Sequence, residues 1–325
     1  MVLLIAFAFH LPVSSRGSAQ GLKDLVADCE GTSEMLTLLC HNAALALDLG
    51  RGGLGAAASG GSPVPGSAST MGYRIRGFPR IALGARGGLA QISVVNAPGA
   101  FNPDGGSASA KTEGALLPLL HFSGTVGLFD GFSPQPTVGG VLSLDVLASA
   151  QALFPPENQG FQGGLWGWGL GARIGILRES FTLPGVSVSA TRSWMGSAAV
   201  GSIESGDMAE TEFDVNVTSF KGVVGKDFLG LGLLAGLGWD RMSGKGTIRA
   251  RVSPTGPEGG ASSSDLSSRR AVFFGGASMT FLILQVSGEA GWSKDLDPEL
   301  PAEPSGDRFP SSNAYFASIA FRVTF

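Results

Sequence analysis

From residue 79 to its end, the chain alternates apolar residues with small or polar ones at a period of two. After the first twenty residues it has no run of eighteen apolar residues. A membrane-spanning helix needs such a run. Alternation of side chains is instead the mark of a strand with two different faces. The last segment is the clearest case. Tyr315, Ala317, Ile319, Phe321, Val323 and Phe325 fall on one face, and Phe316, Ser318, Ala320, Arg322 and Thr324 on the other.

The same pattern recurs upstream. Leu142, Leu144 and Val146 oppose Ser143, Asp145 and Leu147; Trp166, Trp168, Leu170 and Ile174 oppose Gly167, Gly169, Gly171 and Arg173. Leu231, Leu233, Leu237 and Trp239 oppose Gly230, Gly232, Gly238 and Asp240, and Val286, Ala290 and Trp292 oppose Ser287 and Glu289. A soluble sandwich, the competing fold, also alternates. Here the second face carries Gly and Ser and few Lys or Glu, which suits an enclosed lumen better than open water. Mean hydropathy is +0.24 and charged residues make up only 15%. A net-apolar chain without a spanning helix can still face lipid as a closed barrel, in which strand pairing satisfies every backbone group. The expected fold is therefore all-β, an antiparallel transmembrane β-barrel with about ten strands, preceded by a short N-terminal helical segment.

Strands are expected at roughly 79–95, 115–130, 138–154, 164–180, 185–203, 210–226, 228–251, 269–281, 283–294 and 313–325. Long polar connections then alternate with short ones, as between the outer loops and periplasmic turns of outer-membrane barrels. An even strand count places both barrel ends, and the N-terminal segment with Phe325, on the periplasmic side. Aromatics near strand ends (Phe129, Phe132, Phe154, Trp166, Trp239, Trp292 and Tyr315) are candidates for interfacial girdles.

Residues 1–19 read as a signal peptide. Val2 to Phe9 is an apolar core, Pro12 follows it, and Gly17 and Ala19 stand at −3 and −1 of a cut before Gln20. Residues 20–70 form a helical and linker segment, with an apolar stripe from Met35 to Leu49 and a turn-rich stretch at 57–70. It either plugs the lumen or caps the periplasmic mouth, or else packs outside the barrel base. Residues 71–325 form the barrel. Cys29 and Cys40 are the only cysteines. In an exported chain they are expected to form one disulfide. His41 beside them lacks a second ligand pair, so no metal site is expected.

The segment Ala314-Tyr315-Phe316-Ala317-Ser318-Ile319-Ala320-Phe321-Arg322-Val323-Thr324-Phe325 resembles the terminal strand of outer-membrane barrels. The stretch Gly77-Phe78-Pro79-Arg80-Ile81-Ala82-Leu83-Gly84-Ala85-Arg86 resembles the opening of uncharacterised Gram-negative barrel families. The resemblance implies an outer-membrane location among lipid. It also implies recognition of Tyr315, Phe321 and Phe325 by the barrel-assembly machinery. It brings no catalytic residue.

Other chemistry is sparse. A net charge of −4 without a basic patch argues against nucleic acid. The run Gly-Gly-Leu-Trp-Gly-Trp-Gly-Leu-Gly at 163–171 has no Gly-Lys-Ser/Thr ending, so neither a phosphate loop nor any other cofactor is expected. A hydrolase would need His121 as base for Ser123 with help from Asp145, and no motif fixes that third group. The candidate site is instead a set of lumen-facing charges, Asp145, Arg173, Asp240, Glu289 and Arg322. At membrane depth such groups must pair or meet water. They would hold a filled barrel together or line a small pore. The expected functions are passage or binding of small solutes, hydrophobic ones included, or else a structural or surface-interaction role for the outer loops. A membrane-embedded hydrolase ranks last, so no enzymatic activity is expected.

Overall fold

A computed structural model describes residues 18–31, 33–72, 79–102, 110–134, 139–257, 259–296 and 313–325. The leader expected at 1–19 lies almost wholly outside them. Ser18–Gln20 open the first helix, α1 (Ser18–Cys29), which is followed by α2 (Glu34–Ser59).

The strands are β1 (Ile81–Val95), β2 (Thr112–Phe129), β3 (Ser143–Leu153), β4 (Leu165–Leu177), β5 (Gly185–Val200), β6 (Ala209–Phe228), β7 (Leu231–Ala250), β8 (Gly260–Phe281), β9 (Leu284–Asp295) and β10 (Ala314–Thr324). Each pairs antiparallel with its sequence neighbours, and β1 pairs with β10, so the ten-stranded sheet closes into a barrel. Closure leaves no bare strand edge. A small helix, α3 (Ala97–Ala100), sits in the connection after β1, with Asn96 accepting a hydrogen bond from the Gly99 amide at 3.3 Å.

The alternation sorts the two faces as the sequence predicts. On β10, Tyr315, Ile319, Phe321 and Phe325 are exposed outward, while Ala314, Phe316 and Ala320 are buried inside. On β4, Trp166, Trp168, Leu170 and Ile174 point out, while Arg173 is buried. Outward aromatics stack across strands. Trp168 and Trp194 have ring centroids 4.3 Å apart, Phe220 and Trp239 4.9 Å, and Phe273 and Trp292 5.0 Å. Offset stacking of this kind strengthens a cross-strand pair beyond simple burial.

On β6, β7 and β8 the outward apolar face stops at this aromatic row. On β7, Leu231 to Trp239 is followed outward by Arg241, Ser243, Lys245, Thr247 and Arg249. On β6 the outward residues beyond Phe220 include Glu210, Glu212 and Asp214, and on β8 those before Phe273 include Ser263, Asp265 and Ser267. Arg249 meets Glu210 across the β6–β7 pair at 2.5 Å. Leu231 to Trp239 is about 26 Å of strand, and tilted it makes an apolar band of about 20 Å, close to the ~25 Å band of membrane barrels. Three long strands therefore carry on past the apolar band as a collar with a polar outer face. This corrects one boundary: β8 begins at Gly260 and not near 269. Its first residues carry polar side chains outward, Ser263, Asp265 and Ser267 among them, so the apolar signal is missing there.

Both barrel termini lie at one end with the connections 130–142, 178–184, 229–230 and 282–283. The other end carries 96–111, 154–164, 201–208, 251–259 and 296–313, so it holds the longer connections, except that 130–142, expected as a short turn, is itself long. The N-terminal segment lies inside. α1 runs against β8 and α2 against β6, β7 and β1. A Cβ built on Gly21 would meet Asp265 and Leu266, and Leu36 reaches Gly259, so α1 and the start of α2 sit at the long-loop end. Farther along, Gly53 faces Ile92, Gly60 faces Phe316 and Gly72 faces Asp130 at the start of the β2–β3 connection. The segment thus enters at the long-loop end and finishes at the short-turn end, where β1 starts. The expectation that it begins beside Phe325 is corrected: its helices are buried among the apolar inner walls of the collar.

Candidate functional site

The lumen has two zones, and they match the two halves of the segment that fills it. Leu22, Leu25, Leu36, Leu39, Leu47 and Leu54 of α1 and α2 form one core with Ile92, Leu117, Phe213, Val215, Met242, Ile248 and Leu266 of the walls. A helix satisfies its own backbone, so apolar walls suit it. Cys29 and Cys40 are joined by a disulfide and tie α1 to α2 within this core.

α2 is glycine-rich where the lumen is tightest. A Cβ on Gly53 would lie 2.9 Å from Ile92 Cβ, and one on Gly55 2.5 Å from Met242 Sδ. Glycine in a helix interior costs about 1 kcal/mol relative to alanine, and here it lets the helix axis approach the strands.

Helix α2 ends at Ser59, and residues 60–72 continue without regular structure. Irregular backbone at membrane depth is tolerated only where protein satisfies its polar groups. Here the walls turn polar. Asp145 and Arg173, directly paired on β3 and β4, form a bidentate contact with Nε and Nη2 at 3.0 and 2.7 Å from one carboxylate oxygen. The Met71 amide donates to both Asp145 oxygens at 3.1 Å, and Arg173 Nη1 donates to the Ser67 carbonyl at 3.2 Å. On the other side Glu289 accepts from the Ser62 amide at 2.8 Å and the Gly66 amide at 3.2 Å, with Arg86 Nη1 at 4.0 Å. Arg86 Nη1 also donates to the Ser62 carbonyl at 3.2 Å. Lys221 Nζ donates to the Ser59 and Gly61 carbonyls. Gln285 and Ser278 both donate to the Gly66 carbonyl, at 3.0 and 3.3 Å. Gly66 has φ +70°, and a Cβ there would sit 2.9 Å from Gln285 Oε1, so both backbone conformation and space select glycine.

Of the five charges singled out from the sequence, Asp145, Arg173, Asp240 and Glu289 are buried in the lumen wall, and Arg322 is part-buried on the same inward face. Among these five, Asp145 and Arg173 form an ion pair with each other. Asp240 accepts from the Ser59 and Ser219 hydroxyls. Nε and Nη1 of Arg322 have no hydrogen-bond partner among the described residues. The arrangement is therefore a clamp on main-chain groups of 59–71 more than a ladder of pairs. Arg86, Lys221 and Gln285 were missed by the sequence reading. The signal was available, since Ala82, Gly84 and Arg86 alternate with Ile81, Leu83 and Ala85.

His121 and Ser123 share the inward face of β2 and line one cavity of about 40 Å³ with Arg86, Ser149, Ser193 and Lys221. Asp145 is engaged by Arg173 and Met71, and His121 Nδ1 has no partner among the described residues. The three groups of the hydrolase reading are thus not assembled into a relay. Tyr315 and Phe321 lie on the outer face of β10, and Phe325, just past its end, is exposed as well.

Searches against protein-family models and curated protein sequences find no match for the chain. Among solved structures it is similar to the translocator domain of the autotransporter NalP from Neisseria meningitidis, at 11% identity over 76% of this chain and 88% of that one, with a TM-score of 0.40. The transport unit of the autotransporter AIDA-I from Escherichia coli aligns at 9% identity over 75% of this chain and 90% of that one, with a TM-score of 0.31. The Ralstonia pickettii toluene transporter TbuX aligns at 12% identity over 76% and 89%, with a TM-score of 0.25. The barrel assignment rests on the strand pairing, which closes β1 onto β10 through ten antiparallel ladders.

Proposed function

We propose that this chain is a bacterial outer-membrane barrel sealed by its own N-terminal segment, acting through its long-loop end as a surface-interaction barrel and not as an open pore. The observation that carries this reading is the continuous filling of the lumen, by α2 in the apolar zone and by 60–72 in the polar zone. Long loops are the extracellular ones in outer-membrane barrels. On that basis the collar, the disulfide-tied helices and the long connections stand outside the cell, and the short turns with Phe325 face the periplasm. Tyr315, Phe321 and Phe325 then serve the assembly machinery from the lipid side of the last strand.

A second reading, passage of small solutes, is favoured by the polar lower zone. It requires 60–72 to leave its carboxylate and lysine partners and α2 to leave the apolar zone as well. The reading assigns no catalytic role to His121, so a His121→Ala barrel is expected to keep every activity of the parent. The main test is an epitope inserted at Gly256, combined with liposome swelling. The reading expects antibody binding on intact cells and no swelling above protein-free liposomes. Epitope detection only after permeabilisation, or swelling at porin-like rates, would contradict it.

A further inference from the structure

The cavity beside residues 58–63 is not explained by the clamp. It lies between the segment and the walls of β1 to β6, and its volume of about 40 Å³ has room for roughly two or three waters. Its lining holds three nitrogen-bearing side chains, Arg86, His121 and Lys221, and the hydroxyls of Ser123, Ser149, Thr191 and Ser193. Among the described residues no Asp or Glu lines it, and Asp240 stands behind it as acceptor for the Ser59 and Ser219 hydroxyls.

Arg86 and His121 are direct cross-strand partners on β1 and β2, both facing inward and both at least nine-tenths buried, with exposures of 5% and 8%. Arg86 Nε and His121 Nδ1 have no hydrogen-bond partner among the described residues. Buried polar atoms in native proteins are nearly always satisfied, and each exception calls for a ligand or water. A buried cation left short of partners is costlier than a neutral group. Lys221 Nζ spends two donors on the Ser59 and Gly61 carbonyls and retains a third, since an ammonium has three. Gly169 keeps the space open, because a Cβ there would lie 2.7 Å from Ser149 Oγ and 2.9 Å from Ser193 Oγ.

We propose that this cavity is a binding site for one small free oxyanion of the phosphate or sulfate kind, held by Arg86, Lys221 and the ring of hydroxyls. The donors come from the walls, and Arg86 and Lys221 also donate to the Ser62, Ser59 and Gly61 carbonyls, so through these two side chains the anion is coupled to residues 59–62. It acts as a structural ligand of the sealed state.

The test uses the full chain folded in detergent and exchanged into chloride buffer. Unfolding temperature is followed against sodium phosphate, with sodium chloride at matched ionic strength as the control. A ligand that binds only the folded state raises stability with concentration and reveals its affinity. The expected result is a saturable rise with phosphate that chloride does not reproduce. Arg86→Gln is expected to abolish it. Because Arg86 also faces Glu289, Gly169→Ala is the second variant. It fills the cavity without touching a charge and is expected to move half-saturation to at least tenfold higher phosphate. Equal responses to phosphate and chloride would mean that the cavity holds only water and would overturn the proposal. So would an unchanged half-saturation in Gly169→Ala.

Discussion

Asp145 shows at the scale of one residue how the lumen works. Its carboxylate is fully buried, yet both oxygens are occupied, by Arg173 and by the Met71 amide. Removing one member of a buried pair leaves an uncompensated charge, at a cost of about 3–5 kcal/mol. Arg173→Met is therefore expected to lower stability by that order, read as an earlier loss of heat-modifiable gel mobility. Replacing both members with apolar residues should recover part of the loss but not all, because the Met71 amide would still lack its acceptor. Gly53 and Gly55 make the complementary point in the apolar zone. Gly53→Val should drive a branched side chain into Ile92, with an overpacking cost of about 1–3 kcal/mol, measurable in the same assay. The residue scale is also where legibility varied most. Asp145, Arg173, Asp240 and Glu289 were readable because strict alternation assigned them a face. Which main-chain groups they hold was not, because an irregular stretch such as 60–72 has no period from which to read its path.

At the scale of elements, α1 and α2 act as a stapled hairpin. Cys29 and Cys40 are eleven residues apart, and a loop of that size is worth about 2–3 kcal/mol when closed. Replacing both cysteines with serine should lower the unfolding midpoint of the helical part, followed by far-ultraviolet circular dichroism in detergent, and leave barrel formation intact. Ten strands were legible from alternation to within a few residues, with β8 the exception. Its start was hidden because Ser263, Asp265 and Ser267 face water above the apolar band. The helical segment was legible as a helix from its Leu and Ala stripe. Its position was not, since an apolar stripe is buried equally well in a lumen or against an outer base. The tips of the short turns add a further point. Leu229 and Leu282 sit at fully exposed tips with φ 52° and 55°, a region that costs a non-glycine residue about 1–2 kcal/mol. Leucine retained there suits insertion into the lipid interface. Tryptophan placed at position 229 should be quenched by lipids brominated near the headgroup, and an unquenched, water-exposed emission spectrum would count against that placement.

For the whole molecule, the two zones of the lumen and the two halves of the plug explain each other. Apolar walls meet a helix that needs no outside partners, and polar walls meet backbone that does. The collar extends the apolar zone beyond lipid, so the plug is anchored in what amounts to a soluble protein core standing on a membrane barrel. Such a molecule should be electrically silent. Single-channel recording in planar bilayers tests this most directly, comparing the full chain with one lacking residues 34–72. The full chain is expected to insert without current steps, and the shortened chain, if heat-modifiable and hence folded, to conduct. Stable, long-lived conductance from the full chain would contradict the sealed lumen and the function built on it.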